Sequence, residues 1–162
     1  MEQRVVLSAG GTMDKLAAHQ APGHLHEAFS VLLLDGDRTL LQKRAASKYH
    51  FPGLWTNATC SHPTGDVVQD AQERLLFEMG IRAKLAVVGS FTYRAEDPVS
   101  GLVEHEHDTV LVGRGAFEAA PNAKEVSEVR WVDLDDLRRE LAADPASFTP
   151  WLVGVLACAQ RS

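Results

Sequence analysis

The chain has 162 residues, of which 45% are hydrophobic, and its formal net charge is -6 at pH 7. At this length one domain can bury roughly 70% of the surface of its unfolded chain, so we expect a single domain over residues 1–162. The negative charge argues against a nucleic-acid partner, because such binding needs a basic face that neutralises phosphates. No apolar run reaches the ~18 residues of a membrane span, and the 2 cysteines are typical of a reducing compartment. We therefore expect a cytoplasmic protein that acts on a small molecule, with no membrane partner.

The first clear elements are two strands joined by a tight turn. Residues 25–35 are mostly apolar, and an Asp-Gly pair separates them from a second run at residues 39–44. An Asp-Gly pair between apolar runs predicts an antiparallel hairpin. Residues 45–53 contain proline and glycine without periodicity, so we predict a loop that leads into residues 54–60.

The most distinct helix comes next. Val67, Ala71 and Leu75 recur at helical spacing. Asp66 is a favourable N-cap, and Gly80 stands where a helix often ends in a left-handed residue. The pattern predicts a helix between Asp66 and Gly80.

The second half of the chain mixes strands and helices without a regular βαβ alternation. Apolar runs predict strands at residues 84–93, 103–112 and 126–132. Two helices are predicted, one at residues 133–141 with Asp133 as N-cap, and one at residues 149–159 with Thr149 as N-cap and Pro150 at the first helical position. This mixture predicts an α+β domain with a mixed sheet.

A pair of carboxylates marks the strand at residues 103–112. Glu104 and Glu106 alternate along the strand, so they face the same way with Cα atoms roughly 6.5–7 Å apart. Two carboxylates at this separation can both reach one metal ion if their face lines a cleft. His105 and His107 alternate in the same way on the other face. The residues alone leave open which pair points inward, and the solvated face of an edge strand is the ordinary alternative for the glutamates.

Further acid/base and ligand candidates lie earlier in the chain. Cys60 and His62 alternate as well. A free cysteine is more often a small buried apolar residue than a reactive group, and the polar neighbours of Cys60 weaken that ordinary interpretation. His19 and His26 are candidate ligands, with His24 as a competitor for either position. Spacing does not choose among them.

Charged residues around the predicted helix suggest a phosphate site. Arg74 and Glu78 lie four residues apart on one face, which is the ordinary spacing of a surface ion pair. The functional alternative is a carboxylate on a divalent cation and an arginine on a phosphate. Arg44 and Lys48 belong to a basic cluster in an otherwise acidic chain, where they are either solvated or bind an anion. There is no Walker A or Gly-x-Gly-x-x-Gly stretch, so side chains and a cation would hold the phosphate.

Taken together, these residues resemble the type I isopentenyl-diphosphate isomerases, a family with the Nudix fold. The matching blocks are Ala17-Ala18-His19, Leu25-His26-Glu27-Ala28-Phe29-Ser30, Lys43-Arg44-Ala45-Ala46-Ser47-Lys48, Pro52-Gly53-Leu54-Trp55-Thr56-Asn57, Cys60-Ser61-His62-Pro63, Tyr93-Arg94-Ala95, Glu104-His105-Glu106 and Thr149-Pro150-Trp151. Each block is unspecific by itself, but their joint order is highly specific. The resemblance implies a Nudix-type α/β/α layered domain with a mixed β-sheet over residues 1–162.

The resemblance also implies two cation sites. One divalent metal, Mn²⁺, Zn²⁺ or Mg²⁺, would be bound by His19, His26, His62, Glu104 and Glu106. Glu78 would help to hold a Mg²⁺ that bridges the substrate's diphosphate. The remaining diphosphate charge would be neutralised by Lys15, Arg44, Lys48 and Arg74. A monomer or a weak dimer is expected.

The implied reaction interconverts isopentenyl diphosphate and dimethylallyl diphosphate, in isoprenoid precursor biosynthesis. Moving the double bond requires protonation of an unactivated alkene, passage through a tertiary carbocation, and loss of a proton from the carbon on its other side. Glu106, relayed through Tyr93, is the expected proton source, and the Cys60 thiolate is the expected acceptor; the reverse order is the alternative. Trp151 would lie against the cationic centre.

Two other functions compete with isomerisation. Within the predicted helix, Glu73 and Arg74 stand where a Nudix hydrolase has Arg-Glu, and Phe77 replaces the first of two adjacent glutamates, which disfavours diphosphate hydrolysis. A nucleotide diphosphohydrolase is therefore the second hypothesis. A non-catalytic Nudix-fold binding module is the third, and it would not need Cys60 and Glu106 together with a full ligand set. Sequence assigns no role to Cys158.

Overall fold

The structure, a computed structural model, describes residues 3–48 and 50–160. The strands are, in chain order, β1 (Arg4–Val6), β2 (Thr12–Asp14), β3 (His26–Asp35), β4 (Arg38–Arg44), β5 (Trp55–Thr56), β6 (Thr59–Ser61), β7 (Ala86–Glu96), β8 (Val103–Arg114) and β9 (Val126–Asp133). The α-helices are α1 (Lys15–His19), α2 (Val67–Met79), α3 (Leu134–Ala143) and α4 (Leu152–Gln160), and a 3₁₀ turn covers Pro145–Ser147. Within those two ranges, no helix is long and apolar enough to cross a membrane.

The main sheet is mixed, as predicted. Its central path runs β5-β4-β3-β8-β7, with β6 paired to β3 and β9 paired to β4. β3 and β8 are parallel, whereas the other pairs in this sheet are antiparallel. β1 and β2 form a separate antiparallel pair. The predicted α+β class with a mixed sheet is confirmed.

Helices cover both faces of the sheet, which gives the α/β/α layering. On β3, Val31 and Leu33 pack in the apolar cluster that includes α2. Leu32 and Leu34 pack in the other cluster, with residues of α3 and α4. Successive strand residues point to opposite faces, so a strand between two helical layers must be apolar throughout. This explains why residues 25–35 show no polar-apolar alternation.

Two local predictions are confirmed in detail. The side chain of Asp66 accepts hydrogen bonds from the backbone N–H groups at the start of α2, and Gly80 ends that helix with φ of 66°. A Cβ at Gly80 would lie 2.6 Å from the carbonyl oxygen of Ala120, so this position also needs glycine for space. The β3–β4 hairpin turns at Gly36, which has φ of 59°.

The boundaries of other elements differ from the predictions. The last helix begins at Leu152 rather than at Pro150. The Thr149 hydroxyl lies 2.7 Å from the Thr56 hydroxyl, and the Thr149 N–H donates to the carbonyl of Trp55, so Thr149 ties this segment to β5. β7 begins two residues later than predicted and continues to Glu96. β1, β2 and α1 were not predicted, because three to five residues are too few to show a period.

Candidate active site

Five side chains from four separate segments converge where the central strands β3 and β8 begin, and we call them the five-residue group. Its members are His19, His26, His62, Glu104 and Glu106, and one potential ligand atom from each lies within 4.8 Å of all the others. The sheet explains the convergence, because the parallel pairing of β3 with β8 sets His26 beside Glu106. His19 ends α1, and His62 directly follows β6, which is also paired to β3.

The structure settles which face of β8 points inward. Glu104 and Glu106 are buried, with relative exposures of 2% and 6%. His105 and His107 are half-buried on the opposite face, where the Nδ1 of His107 lies 2.9 Å from a carboxylate oxygen of Glu27. Of the two alternating pairs on this strand, the glutamates therefore join the five-residue group.

Backbone carbonyls orient two of the imidazoles. The Nδ1 of His19 donates to the carbonyl of Lys15 over 2.6 Å, and the Nδ1 of His26 donates to the carbonyl of His24 over 2.8 Å. Because a carbonyl oxygen only accepts, the proton of each ring lies on Nδ1. Nε2 of His19 then faces Glu104 at 3.1 Å, and Nε2 of His26 faces Glu106 at 2.9 Å. Metal-binding histidines are typically oriented by such a bond from the other ring nitrogen.

This donor set fits a divalent cation. Ligand atoms on opposite sides of an ion, each at ~2.2 Å, lie ~4.4 Å apart, which is close to the observed span of the five-residue group. Burial raises the pKa of Glu104, but its contacts with His19 and His50 outweigh that effect and hold the pKa well below its usual range. Imidazole nitrogens with ionised carboxylates suit manganese, zinc or magnesium better than a thiolate-preferring ion.

The acid/base candidate Glu106 has hydrogen-bond partners on both of its carboxylate oxygens. Glu106 receives hydrogen bonds from the Tyr93 hydroxyl on one oxygen and from His62, at 2.8 Å, on the other. Burial and the negative charge of Glu106 raise the pKa of Tyr93 well above its usual value, so the phenol stays protonated. Tyr93 and Glu106 are direct partners across β7 and β8.

Cys60 lies on β6, paired with Ser30 of β3. Burial raises the pKa of its thiol to about 12, and the positive charge of Arg44 offsets only part of that effect. The resting side chain is therefore a thiol, the donor form, whereas the predicted acceptor role requires the thiolate. Cys60 and Glu106 both line one cavity of about 530 Å³.

Trp151 closes part of that cavity. Its ring is 3% exposed and lies 5.9 Å from the ring of Tyr93 and 5.6 Å from that of Phe51. The guanidinium of Arg44 lies over the indole at 5.5 Å. The Trp151 ring is thus already in contact with a cation.

The predicted diphosphate-binding side chains line the same cavity, and we call Lys15, Arg44, Lys48 and Arg74 the cationic group. Burial lowers the pKa of Lys15, and the positive charges of Lys48 and Arg74 lower it further, so the members of this group are near one another. Arg44 donates to the carbonyls of His50 and Phe51, both over 3.1 Å.

Comparisons with known proteins identify the family of this chain. The NUDIX domain model matches residues 24–152. The isopentenyl-diphosphate Delta-isomerase of Nocardia farcinica is 49% identical over 157 residues, which cover 95% of this chain and 90% of that protein. The protein of the same name from Cereibacter sphaeroides is 44% identical over 144 residues, which cover 86% and 81% of the two chains. The chain belongs to the isopentenyl-diphosphate Delta-isomerase family. It is accordingly an enzyme.

Solved structures confirm the fold of this family member. DR0079 from Deinococcus radiodurans has a TM-score of 0.73 at 15% identity, with 98% of this chain and 99% of that chain covered. The MutT protein from Methanosarcina mazei has a TM-score of 0.66 at 14% identity, with 85% and 94% covered. At these identities the likeness establishes the Nudix fold alone.

Glu78 occupies a different environment from the five-residue group. It is 3% exposed, and one of its oxygens accepts hydrogen bonds from Gln42, at 3.0 Å, and from Thr59. Its other oxygen accepts from Arg74 at 2.9 Å and lies 3.8 Å from Lys48. A cation at Glu78 would therefore replace Arg74 and Lys48 as partners of that second oxygen.

Sequence reasoning missed three residues of this isomerase-family site. Asp108 continues the alternation of Glu104 and Glu106, and this signal was available; it is buried and accepts from the Ser30 hydroxyl over 2.7 Å. Glu125 contacts Lys48 and lies 3.5 Å from Arg74. His50 lies 2.5 Å from Glu104. Neither Glu125 nor His50 belongs to a periodic segment, so no local pattern marks them.

Proposed function

We propose that this chain interconverts isopentenyl diphosphate and dimethylallyl diphosphate for isoprenoid precursor biosynthesis, as one Nudix-fold domain over residues 1–162. The observation that carries the proposal is the position of Glu106, which contacts two histidines of the five-residue group and Tyr93 and lines the same cavity as Cys60. A carboxylate and a thiol on one cavity are two groups able to transfer protons. The names of the relatives support the same substrate.

The reaction moves a carbon–carbon double bond without a change in oxidation state. One group donates a proton to the terminal alkene carbon, which leaves a positive charge on the tertiary carbon. The other group removes a proton from the carbon on the opposite side, and that C–H electron pair forms the new double bond. Glu106, with Tyr93 as its relay, and Cys60 take these two roles and exchange them in the reverse direction.

A resident divalent ion, Mn²⁺, Zn²⁺ or Mg²⁺, is assigned to the five-residue group. When bound, this ion supplies fixed positive charge that keeps the two carboxylates ionised and in place. The protein supports this role through the backbone carbonyls of Lys15 and His24, which fix the ring orientations of His19 and His26.

The cationic group is assigned to the substrate's diphosphate, together with Mg²⁺ held by Glu78. Lys48 and Arg74 contact Glu78 and Glu125. A diphosphate with its Mg²⁺ offers these two side chains the same kind of oxygen partner as the carboxylates do.

Trp151 is assigned to the carbocation. A cation over an indole ring is stabilised by roughly 2 kcal/mol or more once water is excluded. Water must in any case be kept away, because a tertiary cation that meets water becomes an alcohol. The buried ring of Trp151, which packs against Phe51 at 5.6 Å, forms an apolar part of the cavity wall.

The proposal is tested by giving the purified protein isopentenyl diphosphate with Mg²⁺ and following the substrate by proton NMR, with phosphate release measured in parallel. We expect dimethylallyl diphosphate to form without release of phosphate. The same protein offered nucleoside diphosphate derivatives should leave them intact. Unchanged isopentenyl diphosphate together with hydrolysed nucleotides would contradict the proposal and favour a diphosphohydrolase.

A further inference from the structure

His50 stands out among the buried polar residues because it has no role in the reaction described above. It lies in the loop between β4 and β5, and its side chain is 7% exposed. Its Nε2 is 2.5 Å from Oε1 of Glu104, and its ring centre is 5.2 Å from that of His19. His50 therefore touches the five-residue group from outside.

The two oxygens of Glu104 have different partners. Oε1 faces Nε2 of His50, and Oε2 faces Nε2 of His19 at 3.1 Å. A carboxylate oxygen only accepts, so the Nε2 of His50 carries the proton of this contact and donates it to Oε1. The bond from His50 thus occupies Oε1 of Glu104 and leaves Oε2 directed at His19.

The loop holds His50 in place through its backbone. The Arg44 guanidinium donates to the carbonyls of His50 and Phe51, and the Phe51 N–H donates to a carboxylate oxygen of Asp97 over 3.0 Å. Phe51 has φ of 48°, an unusual backbone conformation that these bonds fix. A side chain anchored in this way is suited to orient a neighbour.

We infer that His50 is a positioning residue that fixes the Glu104 carboxylate, so that Oε2 is presented to a divalent ion in the five-residue group. This inference rests on the metal centre of the proposed function. Loss of a hydrogen-bond partner behind a metal ligand typically costs 10–100-fold in metal affinity. Gln places an amide nitrogen near the position of a histidine Nε2, so it is the conservative replacement, whereas Ala and Leu donate no hydrogen bond.

The test is calorimetric titration of Mn²⁺ into chelator-treated protein, for wild type, His50→Ala and His50→Gln, with the melting temperature of each measured alongside. His107→Ala is the matched control, because that imidazole also lies beside a carboxylate, that of Glu27, but on the opposite face of β8. We expect the dissociation constant to rise about 10–100-fold in His50→Ala, to rise less than about threefold in His50→Gln, and to stay unchanged in His107→Ala. If His50→Ala does not fold, His50→Leu fills the space without donating and takes its place.

Different results bear on the positioning role of His50 and on the metal centre itself. Equal affinities in wild type and His50→Ala would overturn the positioning role and leave the metal centre standing. Equal losses in His50→Ala and His50→Gln would also overturn it, because packing rather than the hydrogen bond would then be responsible. Failure of wild type to bind Mn²⁺, Zn²⁺ or Mg²⁺ would instead overturn the metal centre itself.

Discussion

The five-residue group and the cationic group lie beside one cavity but are held in different ways. In the five-residue group, the contacts run among the ligands themselves and to backbone carbonyls, and His19 and His26 are fully buried. In the cationic group, Lys48 and Arg74 are partly exposed, and they contact Glu78 and Glu125, which compete with any incoming anion. The first group is assembled before it binds anything, whereas the second must exchange partners.

Because of this difference, we expect substitutions in the two groups to change different kinetic constants. Side chains fixed before binding act on the chemistry, so changes there should lower kcat. Side chains that exchange an internal carboxylate for the substrate act mainly on binding, so changes there should raise KM. The predictions below test that separation.

The largest effects are expected at the two proton-transfer groups. Cys60→Ala and Glu106→Gln should each lower kcat by about 10³-fold or more, because each removes one of two required groups. Steady-state isomerisation kinetics provide the measurement. Cys158→Ala, which removes a buried thiol on α4, is the control and should retain turnover. Near-normal kcat in either site variant would contradict the mechanism.

Removal of the resident metal comes next. Protein purified without added metal should carry about one divalent ion by elemental analysis, because the five-residue group is preassembled. Chelation should abolish isomerisation, and added Mn²⁺, Zn²⁺ or Mg²⁺ should restore it. Activity that survives chelation with no metal added back would refute the assignment.

Glu78→Gln should weaken the binding of the Mg²⁺ that bridges the diphosphate, and it should leave the metal ion of the five-residue group in place. We expect the affinity for isopentenyl diphosphate in the presence of Mg²⁺ to fall about tenfold, or ~1.4 kcal/mol, since the substrate loses its bridge to the protein. Titrations of wild type and Glu78→Gln with and without Mg²⁺ measure this. Glu73→Gln, on the exposed face of the same helix, is the control. Equal affinities under all four conditions would exclude a bridging cation at Glu78.

The smallest effect is expected at Lys48. Lys48→Ala should raise KM about fivefold with little change in kcat, because a partly exposed charge contributes ~1 kcal/mol to binding an anion. Lys43→Ala is a matched control, since Lys43 pairs with the exposed Glu128 instead. A fall in kcat larger than the rise in KM would place Lys48 in the chemical step. It would contradict the expectation that the cationic group acts mainly on substrate binding.

Short sequence patterns predicted correctly those helix ends and turns that depend only on neighbouring residues. Asp66 and Gly80 bound α2 because an N-cap and a left-handed end residue act within one turn. The Asp-Gly turn fixed the β3–β4 hairpin for the same reason. By contrast, the inward face of β8 depends on its parallel pairing with β3, about 80 residues away, and periodicity alone left Glu104 and His105 equivalent.

The resemblance to the isomerase family selected site residues that the sequence pattern left undecided, but only at positions that have a known role in that family. It selected Glu104 and Glu106, and their burial agrees with that selection. His50 was missed because its position depends on bonds from Arg44 and on the Asp97–Phe51 contact, across 46 residues of sequence. No periodicity or motif encodes such a contact.

Labelling in D₂O shows directly whether two different side chains transfer the two protons, as we propose. Isopentenyl diphosphate is incubated with the wild-type protein and Mg²⁺ in D₂O, and the product of a single turnover is examined by proton and deuterium NMR. Because the added proton comes from a group that exchanges with solvent, and the lost proton goes to another group, we expect deuterium in the new methyl group of dimethylallyl diphosphate. Product without deuterium would mean that one group carries the same proton between the two carbons, and it would contradict the paired roles of Cys60 and Glu106.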